Sequence, residues 1–211
     1  MGCVSLKFAD TDKIEIMFYI VPLGNPGEKY ADTRHNVGWQ AIDSCVASWG
    51  LPDLVESGGL SGRITEGLVN EHEVTILYPT TFMNNSGSAV VKLVPKGDVG
   101  QLIVIHDDID LPFGEIKIGH GRGPGGNNGV ASIIEKLGSK EFVRVRVGIA
   151  PKSFWTGKTK RPQGGGPLER FVLKPFTSSE QKQLPEIFQQ VQQAIELTIT
   201  DGVVKAMNEF N

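Results

Sequence analysis

The order of short apolar runs, turns and helical patterns is the sequence feature that most constrains the fold. Residues 14–21 (IEIMFYIV) are apolar and rich in strand-forming residues, and the turn LGNPG follows shortly after them. A helix is predicted from about Asn36, with apolar residues near helical spacing, and Gly50 is its expected end. Strand, turn and helix in this order predict an α/β fold.

Further strands and helices are predicted along the rest of the chain. Apolar runs predict strands at residues 64–69, 74–78, 102–105, 115–118 and 143–149. Helices are predicted to begin at Asn85 or Ser86, at Val130, and at a capping box of Ser178 and Gln181 that starts a last long helix reaching about Ile199. This interleaving favours a mixed, mostly parallel sheet with helices on both faces.

Length and composition are those of one soluble domain. The chain has 211 residues, of which 39% are hydrophobic and 21% are charged. We therefore predict a single compact domain over residues 15–211 and a flexible amino-terminal extension over residues 1–14. Residues 152–167 are poor in apolar side chains and rich in Gly, Lys and Pro, which predicts a flexible basic loop.

Membrane and secreted proteins are not favoured by the sequence. No apolar run reaches the roughly 18 residues of a membrane-spanning helix, and the first residues lack the basic and apolar blocks of a signal peptide. The two cysteines, Cys3 and Cys45, follow neither a metal-site nor a disulfide pattern. We expect a cytoplasmic protein, and an organellar form stays open.

Charge is unevenly distributed along the chain. The formal net charge is -3, yet residues 144–174 contain eight basic residues and the single acid Glu169. Such a basic segment can contact the phosphates of a nucleic acid, although a solvated loop could have the same composition.

Polar side chains follow three of the predicted strands. GNPG and TRHN follow the first strand, PTTFMNNSG follows residues 74–78, and HDDID follows residues 102–105, so the acids of HDDID are expected just past a strand end. Ligands of α/β sheets gather at the carboxyl ends of strands. Histidine, amide and carboxylate groups at one rim of the sheet indicate a hydrolytic site.

His35 in TRHN has two interpretations. It could act as a general base if a carboxylate such as Asp107 fixes its tautomer and stabilises the imidazolium formed on proton abstraction. Spacing alone favours a structural loop histidine, since most single histidines have no catalytic role.

The amide side chains near these motifs are equally open to two interpretations. Asn25, Asn84 and Asn128 can cap helices or satisfy loop backbone, or they can grip a carbonyl group and a water. Met83 can pack in the core or form the floor of an apolar pocket.

Two further segments suggest other activities. GHGRGPGGNNG, residues 119–129, matches neither the P-loop nor the dinucleotide fingerprint, and its glycine content fits a mobile lid better. Asp107, Asp108 and Asp110 could hold Mg²⁺ in a metal-dependent phosphatase, but carboxylates that cap a loop are commoner and no second acidic cluster is evident. No metal or other cofactor is predicted.

Five motifs occur together in a fixed order: LGNPGEKYADTRHNVGW, PTTFMNNSGSAV, HDDIDLPFGEIKI, GGNNG and FVRVRVGIAP. With the segment from FVLKPFTSSEQ to TDGVVKAMNEF, they resemble the bacterial-type peptidyl-tRNA hydrolases over roughly residues 17–208. The resemblance implies an α/β domain that hydrolyses the ester between a peptide and the 3′ ribose of tRNA, without a metal or organic cofactor. The expected partner is peptidyl-tRNA, and the expected oligomeric state is a monomer.

The resemblance also implies roles for individual residues. His35 would be the catalytic base that activates a water, Asp107 the acid that orients His35, and Asn25 a catalytic amide. The remaining implied contacts are to the substrate, by Tyr30, Met83, Asn84, Asn127 and Asn128, and to tRNA phosphates, by Lys117, Arg122 and Arg146.

Two positions depart from the pattern of the family. The family usually has histidine where Asn127 stands, and Asn127 keeps hydrogen bonding but cannot become cationic. Gly119 stands at the usual phosphate-binding lysine, so Lys117, Arg122 or the basic loop would have to compensate. The alternative function is therefore a catalytically weak RNA-binding relative, such as an organellar intron-splicing factor.

Overall fold

In the part of the chain that the computed structural model describes, residues 16–151 and 165–211, seven strands form one mixed sheet. They are β1 (Phe18–Pro22), β2 (Val55–Ser57), β3 (Gly62–Val69), β4 (His72–Pro79), β5 (Leu102–Pro112), β6 (Ile116–His120) and β7 (Val143–Ala150). The spatial order is β2-β3-β4-β1-β5-β7-β6. The central strands β4, β1, β5 and β7 are parallel, and the outer pairings are antiparallel. The predicted fold class is confirmed.

Helices cover both faces of this sheet. They are α1 (Glu28–Ala31), α2 (Val37–Trp49), α3 (Gly87–Leu93), α4 (Asn128–Leu137), α5 (Gly165–Val172), α6 (Ser178–Gln181), α7 (Leu184–Asp201) and α8 (Val203–Phe210). Because side chains alternate along a strand, Ile103 and Ile105 pack with α2, α7 and α8, while Leu102 and Val104 pack with α3 and α4. None of the described helices is long and apolar enough to cross a membrane.

Strand β5 is longer than the sequence pattern predicts. The apolar run ends at Ile105, but His106, Asp107 and Asp108 continue the pairing with β7. All three polar side chains are buried and hydrogen-bonded, so the polar stretch can remain in the sheet. The prediction that the acids lie past the strand end is therefore wrong. They lie within β5, and its register with β7 shifts between Asp108 and Pro112.

The ends of the helices around residue 180 also differ from the prediction. The capping box is formed by Thr177 and Glu180, because the Thr177 hydroxyl accepts from the Glu180 N–H and the Glu180 carboxylate accepts from the Thr177 N–H. The predicted long helix is divided into α6 and α7. Pro185 stands in the first turn of α7, where a residue without an N–H is tolerated, whereas it would break a continuous helix.

Other predictions fall partly on residues that the structure does not describe. The amino-terminal extension (residues 1–14) and residues 152–164 of the predicted loop lie outside the described residues. Residues 165–167, which were predicted to be loop, belong to α5 instead. Pro167 lies in the first turn of α5, where its missing N–H costs no intrahelical hydrogen bond.

Helices α3 and α4 approach each other backbone to backbone. A Cβ atom at Gly87 would lie 2.2 Å from the carbonyl oxygen of Ser132, so only glycine fits there. The Gly87 N–H donates to the Ser132 hydroxyl at 3.0 Å. Since α3 follows the 3-10 turn Met83–Asn85 and α4 begins in GGNNG, this contact fixes the separation of two segments that carry predicted site residues.

We expect Gly87→Ala to lower the free energy of unfolding by about 1–3 kcal/mol, because an added methyl group must push α3 and α4 apart. The measurement is urea denaturation of the purified protein. Gly97→Ala is the matched control, since a Cβ there meets open space, and its effect should stay within about 0.5 kcal/mol. Equal losses in both variants would contradict the close approach.

Candidate active site

Segments that follow or belong to three parallel strands form a cleft of about 660 Å³. β1 leads into the turn that contains Asn25, β4 leads into the 3-10 turn Met83–Asn85, and β5 itself carries Asp107. The lining includes all residues predicted to be catalytic or to hold substrate: Asn25, Tyr30, His35, Met83, Asn84, Asp107, Asn127 and Asn128. The structure thus brings together residues that lie as far apart in the chain as Asn25 and Asn128.

His35 and Asp107 form a hydrogen-bonded pair in this cleft. Nδ1 of His35 lies 2.9 Å from Oδ2 of Asp107, and the two side chains are 14% and 5% exposed. An ionised carboxylate only accepts hydrogen bonds, so the proton of the neutral imidazole is on Nδ1. Nε2 is then the nitrogen with a free lone pair, and it is available to accept a proton from a bound water.

Burial and Asp107 shift the pKa of His35 in opposite directions. Burial lowers this pKa because it disfavours the cation, while the charge and the hydrogen bond of Asp107 raise it. The two contributions of Asp107 together outweigh burial, and the pKa of His35 is raised above its ordinary value of about 6.5. Nε2 is therefore a stronger base than in a free histidine, and the imidazolium is stabilised once it forms.

The pKa of the neighbouring His106 is shifted in the opposite direction to that of His35. Nδ1 of His106 lies 2.8 Å from the backbone oxygen of Asp107 and must donate to it. Burial lowers the pKa of His106 and outweighs the opposing effects of Asp107 and Asp108. His106 is therefore a neutral, buried histidine, whereas His35 is the one poised to take up a proton.

Asn127 contacts the other oxygen of Asp107. Its Nδ2 donates to Oδ1 of Asp107 at 2.8 Å. Its own Oδ1 accepts from the backbone N–H groups of Gly129 and Val130, at 3.0 and 3.1 Å, and so caps α4. Each carboxylate oxygen of Asp107 thus has a hydrogen-bond partner.

Asn25 is fixed through both its backbone and its side chain. Its N–H and carbonyl group pair with the side-chain amide of Asn36, with both distances 2.9 Å. Its Oδ1 accepts from the Met83 N–H at 2.9 Å. Since Oδ1 is engaged in this way, the Nδ2 group of Asn25 is the end that can donate to a ligand in the cleft.

One wall of the cleft is apolar and comes from α5. Leu168 and Val172 of this helix line the cleft, as does Phe82, which precedes the 3-10 turn Met83–Asn85 and is 59% exposed. Asn84 and Asn128 are also exposed, so their amides are accessible to a ligand. The cleft can therefore accommodate a chain with polar backbone groups and apolar side chains.

Arg34 connects this wall to the segment that carries His35. Its buried guanidinium donates to the carbonyl oxygen of Pro175 and, at 2.7 Å, to Oε2 of Glu180. The guanidinium carbon also lies 4.6 Å from the centre of the Phe171 ring. A buried cation needs such partners, and here they hold the chain that follows α5 against the start of α2.

The predicted phosphate-binding residues form a separate surface on β6, β7 and the glycine-rich segment. Lys117 and Arg146 are cross-strand partners, and Arg122 is exposed. Arg146 is not a free cation, because its Nε donates to Asp108 at 2.7 Å. A Cβ atom at Gly119 would lie 3.6 Å from the guanidinium of the buried Arg144. Gly119 therefore lies beside the buried Arg144, whose guanidinium donates to the backbone oxygen of Gly123 at 2.8 Å.

Two of the three acids of HDDID, Asp107 and Asp108, have separate side-chain partners. Asp107 pairs with His35 and Asn127, while Asp108 binds Arg146 and accepts from the backbone N–H of Asp110. Within residues 16–151 and 165–211, no group of three or more His, Cys, Asp or Glu side chains is placed to hold a metal ion.

Comparisons with known proteins agree with this geometry. A sequence profile described as Peptidyl-tRNA hydrolase matches residues 19–211. The chain belongs to the peptidyl-tRNA hydrolase family. The family resemblance predicted from the motifs is confirmed.

Individual members of the peptidyl-tRNA hydrolase family match nearly the whole chain. The peptidyl-tRNA hydrolase of Herpetosiphon aurantiacus is 42% identical over 200 residues, which cover 92% of this chain and 90% of that protein. That of Thermodesulfovibrio yellowstonii is 41% identical over 199 residues, covering 92% and 99%. The crystal structure of peptidyl-tRNA hydrolase from Acinetobacter baumannii superposes with a TM-score of 0.81 at 30% identity, covering 93% and 95%.

The sequence analysis assigned no role in the site to three residues that the structure places around it. Arg34 and Asn36 flank His35 in TRHN, and His106 precedes Asp107 in HDDID. Their positions inside the motifs were the available signal. The role of Arg34 depends on partners far away in sequence, such as Glu180, and spacing along the chain does not identify those partners.

We expect Asp107→Asn to lower the pKa of His35 below about 6.5, because burial then acts without an opposing negative charge. The measurement is an NMR titration of the His35 ring protons. Asp53→Asn removes a carboxylate at an exposed position outside the cleft and should leave the titration unchanged. A His35 pKa that does not fall in Asp107→Asn would show that the pair does not set it.

Proposed function

We propose that the protein hydrolyses the ester bond between the peptide and the 3′ ribose of peptidyl-tRNA, with His35 as the general base. The observation that carries this proposal is the His35–Asp107 pair, placed in a cleft lined by amide groups. Membership of the peptidyl-tRNA hydrolase family supplies the substrate class. The reaction would release free tRNA for reuse.

In the proposed reaction, Nε2 of His35 takes a proton from a water while the oxygen of that water attacks the ester carbonyl carbon. Asp107 stabilises the resulting imidazolium through the bond to Nδ1. The tetrahedral intermediate then collapses, the bond from the carbonyl carbon to the ribose oxygen breaks, and the imidazolium returns its proton to that oxygen. The products are a peptide with a free carboxyl group and tRNA with a free hydroxyl group.

The amides of the cleft are proposed to hold the peptide and the developing oxyanion. Asn25 has a free Nδ2 donor, and Asn84 and Asn128 are exposed in the cleft. Neutral amide donors can stabilise negative charge without titrating. Tyr30 and Met83 would contact the apolar parts of the peptide.

The basic surface is proposed to bind the phosphates of tRNA. Within residues 16–151 and 165–211, Lys117 and Arg122 form no ion pair with an acidic side chain, whereas Arg146 would have to share its guanidinium with Asp108. We propose that Lys117 and Arg122 make the larger contribution. The monomeric state and the cytoplasmic location predicted from the sequence stay predictions.

A catalytically weak RNA-binding protein is the second candidate function. The observations that favour it are Asn127 in place of the usual histidine and Gly119 in place of the usual lysine. Such a protein would bind tRNA without cleaving the ester, so a single-turnover assay combined with a binding assay separates the two functions.

We expect His35→Ala to lower single-turnover cleavage of an N-blocked aminoacyl-tRNA by at least about 100-fold, because a positioned general base contributes at least that much. Affinity for tRNA should stay within about two-fold, because phosphate contacts carry most of nucleic-acid binding. His72→Ala is the control, since His72 starts β4 at the opposite end of that strand from the cleft, and it should cleave at the parent rate. Retained cleavage in His35→Ala would contradict the role of His35.

We expect Lys117→Glu to weaken tRNA binding and to reduce the slope of log affinity against log salt concentration by about one unit or more. The measurement is a binding titration at several salt concentrations. Lys96→Glu has the same change of charge in the 3-10 segment before β5, at the amino end of the parallel strands, and should alter binding much less. Identical slopes in both variants would show that Lys117 is not part of the tRNA-binding surface.

A further inference from the structure

Asn127 links the start of α4 directly to the acid of the His35–Asp107 pair. Two backbone N–H groups of α4 donate to Oδ1 of Asn127, and an N–H group can only donate. The orientation of the amide is therefore determined by its partners, and its NH₂ group must face Asp107. The 2.8 Å contact between Nδ2 and Oδ1 of Asp107 is a hydrogen bond in which Asn127 is the donor.

We propose that Asn127 is a positioning residue, which fixes the plane of the Asp107 carboxylate and thereby the ring of His35. The proposal rests on the proposed function of His35 as a general base. A carboxylate turns easily about its terminal torsion, because that torsion has a broad energy profile. With Oδ1 bound to Asn127 and Oδ2 bound to His35, both oxygens of Asp107 are held at once.

Close packing of α4 makes this link rigid. A Cβ atom at Gly129, two residues after Asn127, would lie 2.5 Å from Sδ of Met83, and Gly87 meets the backbone of Ser132. The first turns of α4 are therefore packed tightly against α3 and the 3-10 turn Met83–Asn85. The side chain of Asn127 is hydrogen-bonded to the first turn of α4 at one end and to Asp107 at the other.

Asn127 performs this role without carrying a charge. Asp108 and Arg144 act together with Asp107 on the neighbouring buried His106. An amide at position 127 adds no titrating group to this set. The ascending limb of the pH–rate profile should therefore report His35, the base of the proposed reaction.

The test separates capping of α4 from orientation of Asp107. Asn127→Ser keeps a strong helix-capping side chain but is too short to keep the same contact with Asp107. We expect the single-turnover rate of this variant to fall about 10-fold, with KM within about two-fold and the thermal unfolding midpoint close to that of the parent. A parent rate in Asn127→Ser would overturn the proposal.

Asn127→Asp provides the second arm. It keeps the capping oxygen and the shape, but it replaces the donor to Asp107 with a carboxylate. We expect the pH at half-maximal rate and the His35 pKa measured by NMR both to move upward, because a second negative charge favours the imidazolium. Asn70→Asp, at an exposed turn away from the cleft, should leave both values unchanged. Because two carboxylates this close can share one proton, a His35 pKa that stays at the parent value in both Asn127→Asp and Asn127→Ser would overturn the proposal.

The two arms also distinguish this proposal from the proposed function. A parent protein that binds tRNA but does not cleave it overturns the proposed hydrolysis. The NMR titration needs no substrate, so it still decides whether Asn127 acts on the pair of His35 and Asp107.

Discussion

The hydrogen bond between His35 and Asp107 is the interaction on which the rest of the site depends. It fixes the imidazole tautomer, leaves Nε2 free for a water, and raises the pKa of the ring although burial alone would lower it. The bond exists because β5 continues through a polar stretch and holds Asp107 in the central part of the sheet. His106, in the same stretch, stays neutral because its burial outweighs the nearby charges. The pKa of His35 is raised and the pKa of His106 is lowered, so His35 can act as a base while His106 has a structural role.

The surroundings of this pair are held by short backbone approaches and buried polar contacts. Gly87 allows the backbones of α3 and α4 to approach closely, and Asn127 at the start of α4 donates a hydrogen bond to Asp107. On the other side, Asn36 fixes the backbone of Asn25, and Arg34 holds the chain after α5. These contacts join segments from both ends of the chain around one cleft. Because these contacts come from several helices and strands, the positions of the cleft residues depend on the packing of the whole fold.

Much of this arrangement could be predicted from the sequence, because apolar periodicity and motif order are local properties. The sheet, the helices on both faces and the group of residues in the cleft follow from them. The extent of β5 could not be predicted, since HDDID is polar and stays in the strand only through its distant partners Arg146, His35 and Asn127. The capping box was displaced by one residue because Thr177 and Ser178 are equally good caps in sequence. The double contact of Asn127 depends on tertiary structure alone.

The pH dependence of single-turnover ester cleavage shows whether His35 acts as the general base. The base must be neutral to accept a proton, and the pKa of His35 is raised, so the rate should rise with pH through a midpoint above about 6.5 and then level off. The same profile is expected with a metal chelator present. A rate that does not depend on pH between about 5 and 9, or a midpoint well below 6.5, would contradict a general base held by Asp107.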